Sequence, residues 1–140
     1  MLRAGKPVLS FWPNVDAGVD GTSNGIRSFR EQNPDNPFHF FKNMEPSDFL
    51  RLLYNSDGLI GNSSVGIREC AYLGVPVVNI GVRQNRRDRG NNVLDVDYHA
   101  GQINNALRTF KAKGRPGPSE VYGGGEAGLQ IADLLTAVDL

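Results

Sequence analysis

At 140 residues the chain has the size of one domain with a real core, and its fifteen Lys and Arg balance fifteen Asp and Glu. The resulting formal net charge of zero removes the long-range attraction that draws proteins to nucleic acid or an anionic membrane. The single cysteine, Cys70, excludes an internal disulfide, and no apolar run approaches the ~20 residues that a membrane span needs.

Along the chain, strand-length runs rich in β-branched and aromatic residues alternate with segments of helical spacing. The opening MLRAGKP is too short and too polar for a secretory signal, so a cytoplasmic protein is expected. VLSFW (8–12) reads as the first strand, and SNGIRSFREQ (23–32) follows as a helix with Ile26 and Phe29 three apart. FHFF (38–41) is the second strand. PSDFLRLLYNS (46–56) is a helix with Phe49, Leu52 and Leu53 on one face and Ser47 as its expected N-cap. GLIG (58–61) is the third strand. SVGIRECAYLG (64–74) is a helix that stops at Gly74 before Pro76. VVNI (77–80) and NVLDV (92–96) are further strands, and QINNALRTFKAK (102–113) and GEAGLQIADLLTAV (125–138) are helices. The Gly- and Pro-rich GRPGPSEVYGGG (114–125) between those last two is expected to carry little regular structure. The alternation predicts a single α/β domain over 1–140, with a Rossmann-like, open parallel sheet and flanking helices.

Ligands of such sheets bind outside the carboxyl ends of the strands. Asn14 and Asp16 follow the first strand, Lys42 the second, Asn62, Ser63 and Ser64 the third, and Arg83 the fourth. A helix starting near Ser64 or Val65 would aim unpaired N–H groups and a positive dipole end at that rim, where a phosphate fits. Ser63 and Ser64 add hydroxyl donors, Gly66 leaves the backbone open, and Lys42 and Arg83 supply charge for a diphosphate. Glu69, one turn further, is placed to accept hydrogen bonds from two ribose hydroxyls. The bland alternative makes Ser64 an N-cap and Glu69 a solvated helix residue. No G-x-G-x-x-G follows the first strand and no G-x-x-x-x-G-K-[ST] is present, so no cofactor and no metal are called for. The ligand indicated is a nucleoside diphosphate.

GNSSVGIRE, LGVPVVNIGVRQ, RGNNVLDV, PNVDAG and VYGGGEA together resemble the UDP-N-acetylglucosamine 2-epimerases, specifically the hydrolysing branch, from about Pro7 onward. The resemblance implies one incomplete half of a glycosyltransferase-B-like fold, with UDP-sugar in the cleft between two Rossmann domains. Hydrolysing members eliminate UDP from UDP-N-acetylglucosamine and release N-acetylmannosamine, a sialic acid precursor. Carried over by motif, Ser63, Ser64 and Glu69 would hold the diphosphate and ribose, Arg83 the nucleotide, and Asn14 would lie close to the ligand; Asp16 and Lys42 are further ligand-proximal candidates. Family members are well over twice this length, and the chain corresponds to most of their C-terminal domain. The resemblance implies that the N-terminal domain, which supplies the acidic catalytic residues, lies outside this sequence. No catalytic residue is therefore assigned here, and the isolated chain is expected to be inactive. The expected partners are UDP or a UDP-sugar, the missing N-terminal domain and a second copy of the chain in a homo-oligomer, with no nucleic acid and no membrane.

Two other functions fit the same residues. One is a nucleotide-sugar glycosyltransferase of the same fold; the other is a non-catalytic UDP-binding or oligomerisation module. RQNRRDRG concentrates four arginines between Arg83 and Arg89, but without a global basic excess or interleaved aromatics it reads as a loop over the diphosphate or as solvated surface. His39, inside a strand, and His99, at a helix start, are read as structural or surface histidines. In some hydrolysing members an activated sialic acid inhibits near the helix after DAG. Arg27 and Arg30 share a face there and are read as ordinary solvated charges.

Overall fold

The computed structural model describes residues 7–13 and 19–138. They form β1 (Val8–Phe11), α1 (Val19–Gln32), β2 (Phe38–Phe41), α2 (Pro46–Asn55), β3 (Leu59–Gly61), a 3-10 turn (Ser64–Gly66), α3 (Glu69–Leu73), β4 (Val77–Ile80), β5 (Val93–Val96), α4 (Ala100–Lys113) and α5 (Ala127–Thr136). All strand pairs are parallel, so the chain is a mixed α/β protein of Rossmann-like character with helices flanking its sheets. Where the sequence indicates one open sheet, the strands hydrogen-bond as two, β1-β2 and β3-β4-β5. The chain divides into two compact units, Met1–Asp48 and Phe49–Leu140. Among the described residues no helix is long and apolar enough to cross a membrane.

In the first unit, β1 and β2 run in register from Val8↔Phe38 to Phe11↔Phe41. The period of two puts Ser10, Phe38 and Phe40 on one face, and α1 lies over it with the Phe29 ring 5.1 Å from that of Phe38. On the other face Phe11 and Phe41 stack at 5.6 Å. Between α1 and the sheet remains an open hollow of about 390 Å³ lined by Thr22, Gly25, Ile26, Phe29, Phe38 and Phe40. None of the described residues of this unit is fully buried.

The second unit holds the core. Leu53, Cys70, Val75 and Val77 are buried together, with Phe49, Leu59, Val65, Leu73 and Val93 packed around them. β4 is the central strand and is buried along nearly its whole length, as a parallel strand covered on both faces requires. α4 packs against β4 and β5. α2 begins at Pro46, whose ring is suited to the first helical position, so Ser47 lies within the first turn rather than capping it as expected. α3 ends at Gly74 in the left-handed conformation (φ 63°), and its last carbonyls are claimed by the 114–126 loop. Ser119 N–H donates to Ala71 O, and the Arg115 guanidinium donates to Leu73 O, Gly74 O and Tyr54 O while lying 4.9 Å from the Tyr54 ring. That loop has no helix or strand, yet it caps two helices at once. α5 leaves Leu129, Leu134 and Leu135 exposed.

Candidate functional site

Beyond β3 the chain does not enter an α-helix directly. Ser63 is extended (φ −71°, ψ 144°), and its hydroxyl accepts a hydrogen bond from Val65 N at 3.4 Å. A single 3-10 turn follows, and α3 begins at Glu69. Gly66 N–H donates to Ser63 O, and the N–H groups of Ile67 and Arg68 both donate to Ser64 O. The expectation of unpaired helix-start N–H groups is therefore corrected: those of Val65 to Arg68 are bonded within the turn. The hydroxyls of Ser63 and Ser64 remain as side-chain donors. The cap is Ser63, not Ser64.

Gly66 is required by packing. A Cβ there would stand 2.8 Å from Val77 Cγ1 and 3.3 Å from Leu59 Cδ2, so the turn can lie flat on β3 and β4 only without a side chain. The expected continuous helix is here a 3-10 turn over Ser64–Gly66 followed by α3 from Glu69.

Arg83, in the connection after β4, donates from Nη1 to Asn62 O at 3.1 Å. Arg83 is thereby tied to the residue that precedes the Ser63–Ser64 pair, and Gly66 and Glu69 follow that pair in the turn and at the start of α3. Lys42 is exposed immediately after β2, in the first unit. Asn14 and Asp16 lie outside the described residues. Glu69 opens α3 half-buried, and its Oε2 is buried without a hydrogen-bond partner among the described residues. A carboxylate oxygen taken from water with nothing to accept from is costly, and hydroxyl donors from a ligand would relieve it. Next to it, burial and, less strongly, the Glu69 charge push the Cys70 thiol up to about 12, with Arg115 opposing, so Cys70 is an inert core residue.

Sequence reasoning missed two side chains. Gln84, 2% exposed, donates from Nε2 to the same Asn62 O at 2.7 Å. Asn92, fully buried, donates from Nδ2 to Gly66 O at 3.2 Å and to Val75 O at 3.0 Å. The only sequence signal for either was an amide next to a strand in GVRQ and GNNV, which any polar loop supplies. The arginine-rich connection is pinned as well. Asp95 on β5 accepts from Asn79 Nδ2 at 2.6 Å and from Arg89 Nε at 3.1 Å. Arg89 is thus paired within the fold.

The fold is that of a parallel α/β protein, with a serine turn after β3 followed by the half-buried Glu69. The sequence model described as UDP-N-acetylglucosamine 2-epimerase matches residues 8–136, and the chain belongs to that family. It is 35% identical over 140 residues to the UDP-N,N'-diacetylbacillosamine 2-epimerase (hydrolyzing) of Legionella pneumophila, covering 99% of this chain and 36% of the relative. It is 28% identical over 123 residues to the UDP-N-acetylglucosamine 2-epimerase of Neisseria meningitidis, covering 88% and 32%. It is also 37% identical over 90 residues to the polysialic acid biosynthesis protein P7 of Escherichia coli, covering 64% and 22%. The chain spans about a third or less of the length of these relatives.

Proposed function

We propose that this chain binds the UDP part of UDP-N-acetylglucosamine and serves as the nucleotide-holding, C-terminal part of a hydrolysing 2-epimerase. The reaction would eliminate UDP and release N-acetylmannosamine for sialic-acid-type sugar synthesis. The observation that carries the reading is the buried Glu69 Oε2, without a hydrogen-bond partner among the described residues, just beyond the Ser63–Ser64 pair. Diphosphate oxygens accept from the two hydroxyls and from Arg83, and the ribose hydroxyls donate to Glu69. Such charge-assisted bonds contribute about 1.5–3 kcal/mol each, against about 1 for a neutral one. No acid–base pair is assigned to these residues, so the turn positions a nucleotide-sugar and the proton transfers belong to the remainder of a full-length enzyme.

Calorimetry tests the reading: UDP should bind, Arg83→Ala should weaken it about tenfold or more, and Ser64→Ala about fivefold. A folded protein that takes no UDP at millimolar concentration contradicts it. Incubated with UDP-N-acetylglucosamine, the chain alone should release no UDP; joined to a complete N-terminal portion it should release UDP and N-acetylmannosamine together. The name of the Legionella relative favours a second sugar, diacetylbacillosamine, on the same nucleotide. Comparing UDP release from the two nucleotide-sugars by the joined protein separates them.

A further inference from the structure

Two buried carboxamides hold the serine turn at its two ends. Gln84 Nε2 is bonded to Asn62 O, where the turn leaves β3, and Asn92 Nδ2 to Gly66 O, where the 3-10 turn closes. Both side chains come from the long connection between β4 and β5, and Asn92 ties the turn also to Val75 O, just before β4. In each amide the carbonyl oxygen, Gln84 Oε1 and Asn92 Oδ1, is buried with no partner among the described residues. Two half-paired amides are a poor means of filling a core, since leucine or methionine would fill it without a stranded polar atom. The backbone also makes room for one of them: a Cβ on Gly90 would stand 2.7 Å from Asn92 Oδ1. What the amides give is directionality at two carbonyls outside any strand ladder.

We infer that Gln84 and Asn92 are positioning residues for the diphosphate. They touch no ligand. They fix the backbone from which the Ser63 and Ser64 hydroxyls project, and through the shared Asn62 carbonyl Gln84 also fixes the place of the Arg83 guanidinium. The N–H groups of Val65 to Arg68 are spent within the turn, so phosphate recognition depends on where the remaining donors of Ser63 and Ser64 point, and that is set by the two anchored carbonyls. The inference rests on the UDP reading above and adds which residues keep the site in shape.

The test uses Gln84→Leu, Gln84→Glu, Asn92→Leu and Asn92→Asp, with UDP and uridine titrated against each and amide hydrogen exchange followed at 65–68. Each change removes a neutral hydrogen-bond donor, so UDP affinity should fall about fivefold or more, uridine affinity should hold, and exchange at 65–68 should rise more than in β4. A purely structural role predicts the opposite: equal losses for UDP and uridine, or faster exchange throughout β3, β4 and β5. Either result overturns the inference, as does unchanged exchange in the turn. Should Asn92→Leu fail to fold, the two Gln84 variants decide, because among the described residues Gln84 donates one bond, to the turn alone, whereas Asn92 also holds Val75 O. A native protein that binds no UDP defeats the functional reading and the diphosphate role together. Native binding with unaltered variant selectivity defeats only the positioning role.

Discussion

The two compact units are built from the same kinds of element, parallel strands with a helix laid on them, and they differ in how far they bury them. In the second unit eight apolar residues from Leu53 to Ala106 are buried, together with Asn79, Gln84 and Asn92. In the first, Phe11, Ile26, Phe29, Phe38 and Phe40 are all only half-buried, and a hollow of about 390 Å³ stands open beside α1. A two-stranded sheet has too little face to enclose a core, whereas the three-stranded one buries its central strand between α4 and the segment from the serine turn through α3. The difference bears on the proposed nucleotide site. Buried amides and a carboxylate with an unpaired oxygen can keep fixed positions only where water is excluded, and in the described structure that is around β3, β4 and the serine turn.

Core substitutions separate the units most sharply. Leu53→Ala should cost about 2–5 kcal/mol in denaturant unfolding, whereas Phe29→Ala, at a half-exposed ring, should cost clearly less. Equal losses would mean that the first unit is as well packed as the second. Arg115→Ala comes next. It strips three carbonyls at the ends of α2 and α3 of their donor and should cost about 1–3 kcal/mol, with Arg115→Lys recovering only part because an ammonium cannot reproduce the planar fork. The Cys70 thiol gives a pH signature of the buried unit. Its folded-state value is raised, so the stabilisation is complete below the ordinary value of 9.0 and is lost as pH rises from there towards about 12. Unfolding free energy followed upward from pH 8 should fall faster in the native protein than in Cys70→Ala. Parallel slopes would show that Cys70 ionises as readily folded as unfolded. The smallest effect belongs to α5, where Leu135→Gln on a 70% exposed side chain should change stability by no more than about 0.5 kcal/mol.

All five strands could be read from the sequence because β-branched and aromatic runs such as VVNI and FHFF are bounded by Gly, Pro, Asn or Ser on at least one side. The helix at 64–74 could be read only as apolar spacing. That spacing cannot reveal that Gly66 lies close against Val77 and Leu59, nor that the first turn is 3-10 and α3 begins only at Glu69. Ser63, Ser64, Glu69 and Arg83 stood out because they follow strand ends. Gln84 and Asn92 did not, since an amide in a loop looks the same whether it faces water or is buried under a turn 22 or 26 residues away. The pairing of the strands as two sheets was hidden for a related reason: parallel partners are set by long-range packing, not by any local pattern.

The central claim is that Glu69 accepts from ribose while the serine turn and Arg83 hold the diphosphate. It is tested most directly by titrating UDP and 2',3'-dideoxy-UDP against the native protein and Glu69→Ala. The account predicts that native protein prefers UDP by about tenfold or more, the worth of a hydroxyl bonded to a charged carboxylate, and that Glu69→Ala binds both nucleotides equally. A preference for UDP that survives in Glu69→Ala would contradict the account.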